Sequence, residues 1–521
     1  MPSSTSRTFR GTARRGGARL VRGVAAASAA VLLAGACSSG SEAEHASGTQ
    51  EDPREPATGE PGELTVVDPA LVVDLGEEKS SEDDGVAVEV AYPTVPNAAP
   101  LTEHLAAATA QEVDDFRAAN PGAKSIGIDW GVTVAGDDVV GIRLVQDEED
   151  SEGPRTLYST HWYDAANGRP AYSTQLIAGQ EELDALNDIV QENLSASDDV
   201  DVSALHPILR LYDSMGFNAD GDLVVEFDEG QVAPPEDGRV FTVVRKDDVE
   251  PLLSDFGRRA QAAATVVTPD FRIERPAPSP SADPAPSAVP GVLPARDDSV
   301  DCSAPDSKCV ALTFDDGPGE RTPELLDALA EHDARATFFL TGGPVREHPT
   351  TVRRQYAEGH EVANHTVTHP DLTTVSSGKV TSELATVNAL IRRETGYDVD
   401  LMRPPYGATN DSVAEVSKEL GLAEIIWSVD TNDWKDRNAD IVAKRAVENV
   451  QPGSIILMHD IHSTTVDAVP EILKRLEEQG YTMVTVSQLL GDTEAGKSYF
   501  DGHPEPEEQE EAPDPSASPD A

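Results

Sequence analysis

The chain has 521 residues, 40 basic against 94 acidic, and a formal net charge of −54. A chain of that length holds two or three domains. So large an excess of acid repels phosphates at long range, which argues against a nucleic-acid partner and against electrostatic capture by anionic lipid.

At the N-terminus, Arg7, Arg10, Arg14, Arg15, Arg19 and Arg22 precede the small-residue-rich apolar run "GVAAASAAVLLAGACSS". A basic region before a short apolar region is the pattern of an export signal, and the run is too short to span a bilayer comfortably. "LLAGAC" resembles the lipobox of bacterial lipoproteins, with Leu33 one place early. That resemblance implies lipidation of Cys37 and an anchor on the outer face of the cell membrane, with simple secretion as the alternative. Residues 1–37 are therefore read as the signal and 38–63 as a flexible tether rich in Glu, Ser, Gly and Pro. Only Cys302 and Cys309 remain among the cysteines. In a chain bound for an oxidising compartment they read as a disulfide, and two thiols are too few for a zinc–cysteine site.

Periodic signals start after the tether. "VAVEVAYPTV" alternates like a strand, and Leu101 to Ala119 has a helical apolar face. "SIGIDWGVTV", "VVGIRLVQ" and "TLYSTHWYDAANG" predict a small antiparallel sheet with a turn at Asn167–Gly168. His161 and Trp162 read as sheet residues. "EELDALNDIVQENL" and "ALHPILRLYDSM" are predicted helices, and Gly221 to Phe256 reads as strand, loop, strand and closing helix. This makes an α+β domain over 64–266 with no catalytic constellation. Its last stretch resembles the extracellular domain of certain anti-sigma factors and some peptidoglycan deacetylases. Residues 267–299 form a Pro/Ala/Ser linker, 300–492 a second domain, and 493–521 an acidic disordered tail.

In the second domain, "CVALTFDDGP" runs an apolar strand into two adjacent carboxylates, Asp315 and Asp316. Capping of the helix predicted from Thr322 accounts for one acid but not both. "ARATFFLTGG", "EVANHTVTHP", "LMRPPYGATND", "AEIIWSVDTNDW" and "GSIILMHDIH" repeat the rhythm, each with a polar cluster at the end of an apolar strand. Amphipathic stretches between them, among them "TSELATVNALIRRET" and "VPEILKRLEEQG", supply helices. Chemistry at the C-terminal ends of strands that alternate with helices is the barrel arrangement. His365 and His369 in "NHTVTHP" are four apart, close enough to converge on one ion. A zinc protease of the HExxH type would need Glu where Thr366 stands.

These five ordered blocks, from about Lys308 to Leu490, resemble the polysaccharide deacetylase (NodB-homology) family of carbohydrate esterases. The resemblance implies a distorted (β/α) barrel and metal-dependent hydrolysis of N-acetyl groups. It implies Asp315 as base and Asp316, His365 and His369 as ligands of one divalent metal, most simply zinc, with cobalt or nickel able to occupy the same donors. Arg403 would orient Asp315 and lower its pKa. Tyr406 would offer a backbone N–H to the oxyanion, Trp434 and Leu457 would line the acetate pocket, and Asp433 would tune His459 as general acid. Asp430 reads as a loop cap, and His462 falls outside the motif. The implied partner is an acetylated polysaccharide. Peptidoglycan leads, with chitin oligomers and acetyl-xylan as alternatives. A non-catalytic surface glycan-binding or sensing protein is the rival of a different class, and it would be expected to have lost motif residues that are all present.

Overall fold

The computed structural model describes residues 55–502 except 61, 121, 275–288, 298 and 305. The predicted export signal with Cys37, most of the predicted tether, the middle of the linker and the end of the tail lie outside the described residues.

The N-terminal domain is built on a six-stranded sheet in the order Gly76–Asp83, Ala87–Thr94, Ser125–Gly136, Val139–Glu149, Pro154–Asp164, Arg169–Tyr172. Its pairs are antiparallel except for Ala87–Thr94 with Ser125–Gly136, which run parallel. The sheet is therefore mixed rather than antiparallel, because the helix Ala99–Ala119 provides the crossover that a parallel pair needs. Leu101, Leu105, Val113 and Phe116 lie on one face of that helix and pack on Ile126, Ile128, Ile142 and Leu144. Trp162 is fully buried on the sheet beside His161, as sheet residues. A second sheet, Val240–Val244, Leu223–Phe227 and Ser214–Phe217, is antiparallel throughout.

One predicted helix is absent. "ALHPILRLYDSM" begins at the end of the turn Val202–Ala204 and forms only the single turn Leu209–Leu211 before the strand Ser214–Phe217. Pro207 lacks an N–H and disfavours helical backbone at His206, while Leu205, Ile208 and Leu211 still bury their side chains. The predicted domain edges also move. Glu55–Pro56 of the tether pairs with Val266–Val267, and Phe271 and Ile273 of the linker are buried in the N-terminal core. Ser498–Tyr499, assigned to the tail, joins the sheet of the second domain.

The sheet of the second domain is parallel in every pair. Its order is Val429–Asp430, Ile455–His459, Cys309–Asp315, Thr337–Leu340, Glu361–Asn364, Leu401–Met402, Ala423–Ile425, Ser498–Tyr499, with Thr482–Val484 paired to Cys309–Asp315 off this path. Helices alternate with the strands, giving a distorted β/α barrel. Cys309–Asp315 lies near the middle and all seven residues are buried, as a strand covered on both faces must be. Cys302 and Cys309 are disulfide-bonded at the start of that strand, with Cα atoms 5.6 Å apart. The helix containing "VPEILKRLEEQG" begins earlier than the proline implies, at Ser463, with Pro470 inside it.

Candidate active site

Parallel register gathers the strand ends. Asp315 stands opposite His459 on one side and Phe339 on the other, and Asn364 stands opposite Leu340 and Met402. Each strand then gives way to a short polar loop on the same rim. Asp316, Thr366, His369 and Tyr406 hold φ of 71°, 67°, 53° and 63°, left-handed backbone that costs a non-glycine residue about 1 kcal/mol or more. His365 and His369 thus lie on a loop, neither on a helix nor on a helical turn. At Gly317 a Cβ would come within 2.1 Å of the Asp460 carboxylate, so that turn requires glycine.

Asp316, His365 and His369 bring ligand atoms within 4.8 Å of one another, as no other trio of His, Cys, Asp or Glu does among the described residues. His365 Nε2 is 3.7 Å from Asp316 Oδ1, and His369 Nε2 is 3.5 Å from it. The Arg403 carbonyl lies 2.7 Å from His365 Nδ1, which fixes that nitrogen as donor and turns a bare Nε2 toward Asp316. Burial drives the His365 pKa down to about 3, so the ring is neutral, as a ligand must be. One carboxylate and two imidazoles suit a divalent ion with positions left open.

Arg403 is wholly buried, with its guanidinium 4.1 Å above the centre of the Phe339 ring. It donates to Asp315 Oδ1 at 2.7 Å, Thr313 Oγ1 at 2.8 Å, and the carbonyls of Ile425 and Ile426 at 3.0 and 3.1 Å. The expected lowering of the Asp315 pKa is not what results. Burial raises it, and Arg403 and His459 pull it only part of the way back. At the end of the neighbouring strand, Asp433 Oδ1 lies 2.8 Å from His459 Nδ1, while Oδ2 accepts from the His459 N–H and from Thr465 Oγ1, each at 2.7 Å. Burial alone would lower the His459 pKa. The Asp433 hydrogen bond and the charges of Asp315, Asp433 and Asp316 outweigh it and carry the ring up to about 9.

Leu457 is buried under this rim, whereas Tyr406 and Trp434 are 69% and 51% exposed at its edge. The Tyr406 ring stands 4.7 Å from that of His369, edge to face. Asp430 caps its loop by accepting the Asn432 N–H at 2.7 Å. His462, outside the motif, lies beside the site, its ring stacked on His459 with centres 5.7 Å apart.

Sequence reasoning missed the groups that hold the histidine loop. Glu383, fully buried, accepts the N–H groups of Val367 and Thr368 at 2.8 Å each and the Thr368 hydroxyl at 2.7 Å. Asn364 accepts the Thr366 N–H and donates to the Leu384 carbonyl and to Asn388. One signal was available. Glu383 shares a helix face with the buried Val380 and Val387, and an acid on an apolar stripe needs a partner.

A candidate metal-binding trio, an arginine-held aspartate and an aspartate-held histidine at one rim form a centre equipped for metal-assisted hydrolysis. Residues 303–425 match the family model described as polysaccharide deacetylase. The chain is 46% identical over 197 residues to the peptidoglycan-N-acetylglucosamine deacetylase PgdA of Listeria monocytogenes, which is 37% of this chain and 42% of that protein. It is 42% identical over 186 residues to the peptidoglycan-N-acetylmuramic acid deacetylase PdaC of Bacillus subtilis, 36% of this chain and 39% of that one. With the chitooligosaccharide deacetylase of Sinorhizobium fredii it shares 39% identity over 194 residues, 34% of this chain and 90% of the relative. The chain belongs to the polysaccharide deacetylase family. It spans less than half the length of the Listeria and Bacillus relatives.

Proposed function

We propose that the protein hydrolyses N-acetyl groups on cell-wall glycan, with peptidoglycan as the polymer, and releases acetate. The observation that carries this reading is the gathering, at one rim of the sheet, of Asp315 held by Arg403, His459 held by Asp433 and the Asp316–His365–His369 trio.

A divalent ion held by that trio, most simply zinc, supplies Lewis acidity toward the acetamide carbonyl and a water of lowered pKa. Asp315, fixed by Arg403, accepts the proton of the attacking water. The Tyr406 N–H stabilises the developing oxyanion, and Leu457 and Trp434 contact the acetyl methyl. An amine leaves only when protonated. His459, cationic below about pH 9 through Asp433, delivers that proton from the other side.

The names of the Listeria and Bacillus relatives support peptidoglycan over chitin oligomers. Export and lipidation at Cys37 would set the protein at the outer face of the membrane, facing that wall. Mass spectrometry of defined peptidoglycan, chitin and acetyl-xylan fragments after incubation with the zinc-loaded protein tests the reading. Loss of acetyl from peptidoglycan amino sugars is expected. Turnover of xylan alone reassigns the substrate, and no turnover of any fragment overturns the activity.

A further inference from the structure

The helix Ser377–Thr395 has two different neighbours. Its inner face holds the histidine loop through Glu383, the Leu384 carbonyl and Asn388. Its outer face meets the N-terminal domain. There Thr386 Oγ1 donates to the Ala118 carbonyl at 3.0 Å, Arg392 Nη1 to Asp115 at 2.6 Å, and Arg393 to both oxygens of Glu148 at 2.8 and 2.9 Å.

A second element repeats the pattern. Gly342–Glu347 follows the Thr337–Leu340 strand, and the Gly342 N–H donates to the Thr366 carbonyl at 3.2 Å. The same segment sits against Val367 so closely that a Cβ at Gly342 would stand 3.1 Å from it. Its Arg346 donates to the Ala119 carbonyl at 2.7 Å and to the Gly342 carbonyl at 3.3 Å. Ala118 and Ala119 are the last two residues of Ala99–Ala119. Carbonyls at a helix C-terminus have no partner within their own helix and carry its negative dipole end, so a hydroxyl and a guanidinium suit them. One helix end of the N-terminal domain is thus bound to both elements that support a loop holding two left-handed residues, Thr366 and His369.

We propose that the N-terminal domain braces the metal-ligating loop, and that Thr386 and Arg346 are positioning residues for His365 and His369. The brace acts by rigidity. With the helix and the Gly342–Glu347 segment fixed from outside, the loop keeps its strained backbone and both imidazoles stay convergent. The inference rests on the proposed metal site for its effect on binding, but the loop's order does not depend on metal.

The test compares full-length wild type with Thr386→Val/Arg346→Met. Zinc affinity is read by chelator competition, and amide exchange at Val367 and Thr368 is read in zinc-free protein. Loss of outer support for metal ligands typically weakens binding by about 10- to 100-fold, and a decrease at the low end of that range with faster exchange is expected. Thr386→Ser, which keeps the hydroxyl, should stay near wild type in both readouts. So should Arg475→Ala, whose ion pair to Glu471 lies on the separate helix Ser463–Glu478. If the double variant melts below the assay temperature, Thr386→Val alone, close to Thr in shape, carries the same test with a smaller effect. Unchanged affinity and unchanged loop exchange in a folded variant overturn the brace. A wild type that binds no zinc overturns the metal site instead, and the exchange measurement still decides the brace.

Discussion

Asp315 and His459 are Cα partners in adjacent parallel strands, yet each is held by a residue from a different segment, Arg403 after the strand Leu401–Met402 and Asp433 at the start of the short helix Asp433–Asp436. Parallel pairing puts both at the same height on the rim, and the two outside partners keep a carboxylate and an imidazole in distinct roles. Arg403 ties Asp315 to the carbonyls of Ile425 and Ile426, while Asp433 receives both the backbone and the ring of His459.

The electrostatics of His459 give a pH prediction. Its pKa is raised to about 9, so the acid form persists through neutral pH and is lost as pH rises through that value. Asp433→Asn keeps an oxygen to accept from Nδ1 and removes the charge. The alkaline limb of kcat/KM should then fall by about one to two pH units, within the range an adjacent opposite charge supplies. A cation at Asp316 offsets part of the carboxylate field in both proteins, so the comparison between them is the measurement. An unmoved limb assigns it to another group.

Metal binding follows from the trio. His365→Ala and His369→Ala each remove one of three donors, and elemental analysis after dialysis should fall from one ion per chain toward none. Asp315→Asn leaves all three donors and should retain the ion. Equal metal in wild type and both histidine variants would place the ion elsewhere.

Much of the site was legible in the sequence because its chemistry is local. His365 and His369 are four residues apart, Asp315 and Asp316 adjacent, and each cluster ends an apolar run. What supports them was not legible, because it arises from packing between distant segments. Thr386 and Ala118 are 268 residues apart, and no periodicity joins them. Proline gave opposite outcomes for a related reason. Pro470 sits inside Ser463–Glu478, where burial of Val466, Val469, Ile472, Leu473 and Leu476 outweighs a cost of about 3 kcal/mol. Near Pro207, short turns bury the same apolar groups and no helix forms.

Glu361 predicts a stability change with pH. It begins the Glu361–Asn364 strand, buried, accepting from Thr337 Oγ1 at 2.8 Å and the Ser487 N–H at 3.2 Å. Burial raises its pKa to about 7. Between the unfolded value near 4.5 and that figure the native state binds a proton the unfolded state does not, so stability falls as pH rises through this window. Glu361→Gln cannot ionise. Its stability relative to wild type should grow by on the order of 2–3 kcal/mol between acid and mildly alkaline pH, read by urea denaturation. A constant difference across that range would mean Glu361 titrates normally.

The last prediction separates the two proton transfers. Asp315→Asn preserves shape and loses the basic carboxylate, so amide hydrolysis should fall by about 10²- to 10⁴-fold, the usual contribution of a positioned base. An activated aryl acetate needs the same activated water, and the variant should be poor on it too. His459→Ala should be as damaging on an N-acetyl sugar, because the amine cannot leave without a proton. On the aryl ester its loss should be much smaller, since a phenolate of low pKa departs unaided. The measured quantity is the ratio of ester to amide kcat/KM for each variant. A rise in that ratio for His459→Ala with little change for Asp315→Asn fits separate acid and base residues. Equal losses on both substrates for His459→Ala would remove the general-acid role and leave that imidazole, charged through Asp433, as support for the oxyanion.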